Sequence, residues 1–351
     1  GLHTDTGEVL GTAIRATHTF CLGLWKLAFL QDQALDYIGK AELIEFDIPL
    51  ADVTAVLGEL PLMRRITRDS AVAHLPLPRH PASYKYTNGH LLLVAGSRRY
   101  SGAAVLAGLG ARASGVGMLS IAVPESIKLL LSAQLPEALI IGCPETESGA
   151  IRVLPVGVDL KAYDAIAAGP GLTLDAASVV EAVLESDRPL VLDADGLNVL
   201  AHLGANAILS ERRAPTTLTP HPGEFKRLFP HLANQLEYRA VAAQQAARES
   251  GAVVLLKGAR VAIANSAGSV WLNPESTPAL GRGGSGDVLT GLLGGLLAPE
   301  TSRQFPVEFI AQAAVWWHAQ AGILAAKERT ELGVDAFTLT QYLTQVVNNN
   351  C

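Results

Sequence analysis

The sequence predicts an α/β fold, with a central, mostly parallel sheet, helices on both faces and a small N-terminal remnant attached. Three observations predict it. Short apolar runs recur from residue 90 onward and alternate with Ala-rich helical stretches, the pattern of a parallel sheet built from crossover units. Apolar residues make up 49% of the 351 residues and charged ones 17%, enough to bury both faces of a sheet. Glycine-containing turns stand directly behind several of the apolar runs, where open α/β sheets bind their ligands.

Residues 1–62 differ from the rest. Strands are expected near 17–20 and 41–48, with turns at Asp5-Thr6-Gly7 and Asp47-Ile48-Pro49. A piece this size has a marginal core of its own, the limit lying at about 40–60 residues, so it reads as a fragment or an attached subdomain. The prolines of 76–81 mark a linker. Beyond it, residues 90–95 (HLLLVA) read as a strand, 102–114 as a helix, and 118–123, 165–168, 189–192, 217–218 and 253–256 as further strands. The glycine-interrupted run 288–298 is too short to cross a bilayer, which takes roughly 18–20 residues, and reads as a packed core helix.

A formal charge of −6 gives no electrostatic reason to expect nucleic acid or an anionic membrane as partner. Three scattered cysteines, Cys21, Cys143 and Cys351, form neither a disulfide framework nor a metal-ligand pattern. With no signal-peptide pattern at the N-terminus, the expected location is the cytoplasm. The apolar excess points to a homo-oligomer.

The chemistry concentrates in the turns. Arg282-Gly283-Gly284-Ser285-Gly286-Asp287 precedes the helical run. Glycines ahead of a helix let backbone N–H groups converge on an anion, and the helix dipole adds to the attraction. A phosphoryl group in transfer could sit there while Asp287 takes a proton from an attacking hydroxyl. The plainer alternative is a flexible turn with Asp287 as a helix cap. His221, ahead of Pro222-Gly223, is presented by a turn. Glu224 reads as an acid of a helix N-terminal turn that organises the loop. Lys257 emerges at the end of the VVLL strand, either toward a ligand or toward solvent. Asp193 and Asp195 could hold Mg²⁺ through water or simply bond the turn backbone. Gly169 and Gly171 allow close approach of a ligand or form a tight turn. Ser101-Gly102-Ala103 opens a helix whose amides could receive a phosphate, with Arg98 and Arg99 nearby. Trp316, Trp317 and His318 lie in an Ala-rich helical stretch and read as core or subunit interface, with no catalytic role.

Six segments in order carry a resemblance. Gly96-Ser97 with Tyr100-Ser101-Gly102-Ala103, Ala168-Gly169-Pro170-Gly171-Leu172, Asp193-Ala194-Asp195-Gly196-Leu197-Asn198, Leu218-Thr219-Pro220-His221-Pro222-Gly223-Glu224-Phe225, Leu256-Lys257-Gly258-Ala259-Arg260-Val261 and the glycine bend before Asp287 resemble the ribokinase-like superfamily. Within it they resemble the ADP/ATP-dependent NAD(P)H-hydrate dehydratases. The resemblance covers about residues 75–345. It implies a ribokinase-like fold, hydrated NADH or NADPH as substrate, ADP or ATP as phosphoryl donor, and Mg²⁺. It implies that Asp287 is the catalytic base, and that Ala103, Gly171, His221, Pro222, Gly223, Glu224, Phe225, Lys226 and Arg227 contact the substrate. Nucleotide contacts are implied for Lys257, Gly258, Ala259, Arg260 and Val261, and for the facing loop Thr277, Pro278, Ala279, Leu280, Gly281, Arg282, Gly283, Gly284, Ser285 and Gly286. No residue is assigned as a direct metal ligand.

The N-terminal piece, through Gly1-Leu2-His3-Thr4-Asp5-Thr6-Gly7 and the stretches 13–20 and 39–49, resembles the tail of an NAD(P)H-hydrate epimerase domain. Domains are therefore expected at 1–62 and 63–351, with no epimerase activity from the chain as given. Two other readings stay open: a ribokinase-like kinase of a vitamin precursor or sugar, and a nucleotide-binding protein without catalysis. An oxidoreductase is disfavoured, because no G-x-G-x-x-G follows the first strand of the alternating region.

Overall fold

The computed structural model describes residues 1–350; Cys351, one of the three cysteines above, lies outside the described residues. Twelve strands form among them: β1 His18–Leu22, β2 Lys40–Ile44, β3 Met63–Arg65, β4 His90–Val94, β5 Met118–Pro124, β6 Leu139–Cys143, β7 Ala165–Ala168, β8 Leu190–Leu192, β9 Thr216–Leu218, β10 Val253–Leu256, β11 Ala262–Ala264 and β12 Val270–Leu272. β1 and β2 pair in parallel as a separate two-stranded sheet. The other ten form one sheet in the order β3-β12-β11-β10-β9-β8-β7-β4-β5-β6. Only β11 runs against the rest, antiparallel to both β10 and β12.

The expected strands of the alternating region are all present. They form because their apolar runs are buried on both faces, as parallel strands must be. Leu91, Leu92, Leu93 and Val94 of β4 are all fully buried. Leu91 and Leu93 enter one core layer, with the helices Ser101–Ala113, Ser285–Leu297 and Val307–Arg329. Leu92 and Val94 enter the other, with Ala177–Leu184, Ala194–Leu203, Pro222–Leu228 and Arg239–Ser250. Sequence reading did not place β3, β6, β11 and β12. Trp316 and Trp317 are core residues, and the Trp317 indole donates to the Leu343 carbonyl at 2.6 Å.

The strand order reverses at β4, which pairs with β5 on one side and β7 on the other. The loops leaving β4 and β7 therefore diverge and leave a crevice at the carboxyl edge. They are joined where Gly96 N–H donates to the Pro170 carbonyl at 2.7 Å. Among the described residues no helix is long and apolar enough to cross a membrane. Cys21 and Cys143 are buried and free.

Candidate active site

All six segments leave the carboxyl ends of parallel strands or open a helix beside them. The Ser285–Leu297 helix starts behind Gly284, whose φ of +91° places it in the left-handed region that glycine adopts without strain. Asp287 thus falls in the first turn, where free N–H groups and the positive end of the dipole lie. His318, buried in the Val307–Arg329 helix, bonds the Ser285 carbonyl at 2.9 Å through Nε2. That ring nitrogen carries the proton, since a carbonyl can only accept. Burial pushes the His318 imidazole down to about 4, so it is neutral and pins the start of the Ser285–Leu297 helix.

Asp193 and Lys257 meet Thr290 of this helix. Lys257 Nζ pairs with Asp193 Oδ1 at 2.7 Å, and the Thr290 hydroxyl donates to Asp193 Oδ2 at 2.6 Å. Asp193 is 1% exposed. A methyl group on Gly286 would come within 3.3 Å of Lys257 Nζ, so the lysine faces the glycine bend. Burial alone would lower the Lys257 amine; Asp193 and Glu224 outweigh it and hold the amine above its usual value. Asp287 is raised as well, which for an acid favours the neutral form. Burial first, then the negative charge of Asp193, raise its carboxyl to about 7, against the pull of Lys257. One carboxylate is paired with a lysine while its neighbour is poised to exchange a proton near neutrality.

The two aspartates of the DADGLN turn divide their work. Asp193 serves the lysine. Asp195 bonds the turn, accepting from Thr173 N–H at 3.0 Å and from the Asn198 amide at 3.2 Å. Asn198 in turn accepts from Arg227 Nε at 2.8 Å, which ties Arg227 back to this loop. Gly171 and Ala103 lie against each other: a methyl on Gly171 would be 2.9 Å from the Ala103 Cβ.

His221 caps the Pro222–Leu228 helix. Its Nδ1 accepts from Gly223 N–H at 2.9 Å, and Glu224 Oε2 accepts from the His221 N–H at 2.8 Å, closing a capping box. With Nδ1 accepting, Nε2 carries the proton, and it lies 3.3 Å from Glu224 Oε1. Burial, Lys257 and Arg227 lower the His221 imidazole; burial raises the Glu224 carboxyl. Pro222 and Lys226 are exposed. The Phe225 side chain is fully buried, packed on Phe229 with ring centroids 5.3 Å apart, which leaves its backbone for the expected contact. Helical periodicity turns it inward while Lys226 and Arg227 face out.

Gly258, Ala259, Arg260 and Val261 form the bend between β10 and β11. Across from it, Thr277 caps the short turn Pro278–Leu280 by accepting from Ala279 N–H at 3.3 Å. Ala279 is buried, while Gly281, Arg282 and Gly283 are exposed. Arg282 donates to the Leu332 and Val334 carbonyls at 3.2 and 2.9 Å, so its charge also anchors the segment behind the bend. Sequence reasoning missed Thr290 and gave His318 no part. The polar Thr290 inside an otherwise apolar run was the one available signal.

Among the described residues no group of three or more His, Cys, Asp or Glu is arranged to hold a metal ion. Both Asp193 oxygens are engaged by Lys257 and Thr290. The donor set fits an ion such as Mg²⁺ that keeps its water and rides on phosphates, with Asp287 and Asp193 as the adjacent carboxylates.

A mostly parallel α/β sheet with a glycine bend, an adjoining acid of raised pKa and a lysine–aspartate pair at its carboxyl edge defines a protein of the ribokinase-like class. The family model described as NAD(P)H-hydrate dehydratase matches residues 91–345. The chain is 53% identical over 344 residues to the bifunctional NAD(P)H-hydrate repair enzyme Nnr of Synechocystis, covering 98% of this chain and 64% of that protein. It is 36% identical over 283 residues to the ADP-dependent (S)-NAD(P)H-hydrate dehydratase of Bacillus subtilis, covering 80% of this chain and 96% of that one. The solved ADP/ATP-dependent NAD(P)H-hydrate dehydratase of Bacillus subtilis, co-crystallised with ATP and Mg²⁺, superimposes with TM-score 0.69 at 34% identity, over 82% of this chain and 99% of that one. The chain belongs to the NAD(P)H-hydrate dehydratase family. It spans just under two thirds of the length of its bifunctional relatives.

Proposed function

We propose that this chain dehydrates the S epimer of hydrated NADH and NADPH, restoring the reduced cofactor with ADP or ATP as phosphoryl donor. The observation that carries the reading is the meeting of Asp287, raised to about 7, with the Lys257–Asp193 pair at the mouth of the glycine bend. The relative named for ADP-dependent action on the S form and the neighbour crystallised with ATP and Mg²⁺ support substrate and donor.

Hydroxide is a poor leaving group and phosphate a good one. In the proposed reaction Asp287 takes the proton of the C6 hydroxyl as its oxygen attacks the terminal phosphorus, and the shortened nucleotide departs. The amides of Gly283, Gly284, Ser285 and Gly286 meet the charge of the phosphoryl group in transfer, and Lys257 balances it from the side. The ring-nitrogen lone pair then expels phosphate from C6, and loss of a C5 proton restores the double bond. Bound Mg²⁺ would supply charge neutralisation on the phosphates. Ala103, Gly171, His221, Gly223 and Arg227 form the substrate side; residues 257–261 and 277–286 form the nucleotide side.

Residues 1–62 are proposed as the C-terminal part of an epimerase-like unit and 63–351 as the dehydratase unit. A cytoplasmic location is supported by the free cysteines Cys21 and Cys143, and self-association by the 49% apolar composition.

The test incubates the purified chain with hydrated NADH, Mg²⁺ and either nucleotide. The reading expects near-ultraviolet absorbance to return and free phosphate to appear in equal amount. Asp287→Asn should bind nucleotide as before and lose about 10²- to 10⁴-fold in turnover. A stable phosphorylated product would instead identify a small-molecule kinase.

A further inference from the structure

The bend that the proposed function assigns to the nucleotide is held from outside its own unit. Asp32 lies in the short turn Asp32–Ala34, far back in the N-terminal piece. Its Oδ1 accepts from the Arg260 N–H at 3.0 Å and its Oδ2 from the Ala259 N–H at 3.3 Å. Two successive amides aimed at one carboxylate make a small anion nest. Arg239 completes it, pairing with Asp32 through Nη2 and donating from Nη1 to the Lys257 carbonyl at 3.3 Å. Its guanidinium also fills the space over Gly258, where an added methyl would lie 2.2 Å from Cζ. The pair is poorly exposed, at 13% for Arg239 and 32% for Asp32. A second tie stands beside it: the Tyr238 hydroxyl donates to the Glu8 carboxylate.

We infer that Asp32 is a positioning residue for nucleotide binding, fixing the Gly258–Arg260 bend through its two amides and Arg239. The inference rests on residues 257–261 being a nucleotide segment. Freed of Asp32, the bend samples more conformations, and the nucleotide must order it on binding, which lowers affinity. Lys257 Nζ is held separately by Asp193, so the rate of the bound complex is largely preserved. The N-terminal piece therefore acts on how tightly the donor is held, and hardly on the chemistry.

The experiment compares the parent chain with Asp32→Ala and Asp32→Asn, the second keeping the shape of the side chain. ADP affinity is read by titration calorimetry, and kcat and both KM values are read on hydrated NADH. Asp32→Ala should raise the Kd and KM for ADP on the order of tenfold, the effect of losing one charged hydrogen-bond set. Asp32→Asn should fall between it and the parent. In both, kcat should stay within about twofold and the KM for the hydrate unchanged. Unchanged ADP affinity in variants that melt like the parent overturns the inference. So does a loss shared by every parameter in step with thermal stability, which marks Asp32 as merely structural. Hydrogen exchange of the parent with and without ADP separates the two layers. Without protection of the 257–261 amides by ADP, the nucleotide assignment itself falls; with protection but unaltered Asp32 variants, only the role of Asp32 does.

Discussion

Asp287 and His318 carry shifts of opposite sign around one helix start. The Asp287 carboxyl is raised to about 7, burial being the largest cause. As the proposed base it works ionised, so kcat/KM for the hydrate should climb as pH rises through about 7 and fall away on the acid side. A rate profile that is flat across that interval would take Asp287 out of the proton transfer. The same shift costs stability. The folded chain holds this proton more tightly than the unfolded one, so stability falls as pH rises from the ordinary carboxylate range through about 7. Without ligand, Asp287→Asn should therefore be more stable than the parent by on the order of 2 kcal/mol at about pH 8, the gain vanishing below about pH 4; denaturant titrations at both pH values would check it. His318 acts the other way. Its imidazole is lowered to about 4 by burial, so the stability it contributes is complete above its usual value and lost as pH falls toward about 4. Asp287 and Lys257 could be read from the sequence because each stands at a motif's fixed place. Thr290 could not, because its partner Asp193 is 97 residues away, and the pairing exists only once β8 and the Ser285–Leu297 helix are docked.

The Ser285–Leu297 helix is aimed by its contact with the Ser101–Ala113 helix. A methyl on Gly291 would sit 1.7 Å from the Ala107 carbonyl oxygen, and one on Gly110 2.1 Å from that of Val288. The backbones touch, so the position of Asp287 is set by missing side chains. Gly291→Ala should cost about 1–3 kcal/mol by overpacking and lower kcat more than either KM, because the helix can relieve the clash only by moving its first turn. Equilibrium unfolding with steady-state kinetics reads both, and an unaffected kcat would mean that the helix start is held by other contacts. At this scale the longer apolar runs were legible, whereas the three-residue strands β11 and β12 were not, although both are buried. β4, β5, β7, β8 and β10 announce themselves as apolar runs, whereas Met63–Arg65 has no apolar pattern and becomes β3 only by pairing with β12. β6 closes the opposite edge, with Leu139 54% exposed.

Across the whole molecule, stability is expected to be graded. β4, β7 and β8 are buried on every side, while β1 and β2 form a detached sheet with Phe20 and Leu22 more than half exposed. Amide exchange should be slowest in β4, β7 and β8, and faster by orders of magnitude in β1 and β2, which open without the main sheet. Equal protection would mean that the chain unfolds as one unit. The sequence marked residues 1–62 as different, yet gave no hint that Asp32 meets a bend 228 residues further on, since only tertiary docking creates that neighbour. The reversed strand β11 has a consequence of its own. The bend of residues 257–261 joins it directly to β10, with Leu256 opposite Ala262, and Ile263 points into one core layer while Ala262 and Ala264 point into the other. Inserting or deleting a single residue within either strand would slip the pairing by one and swap those faces. A residue added inside the bend leaves that pairing intact, so the proposed nucleotide side can be reshaped there without disturbing either core layer.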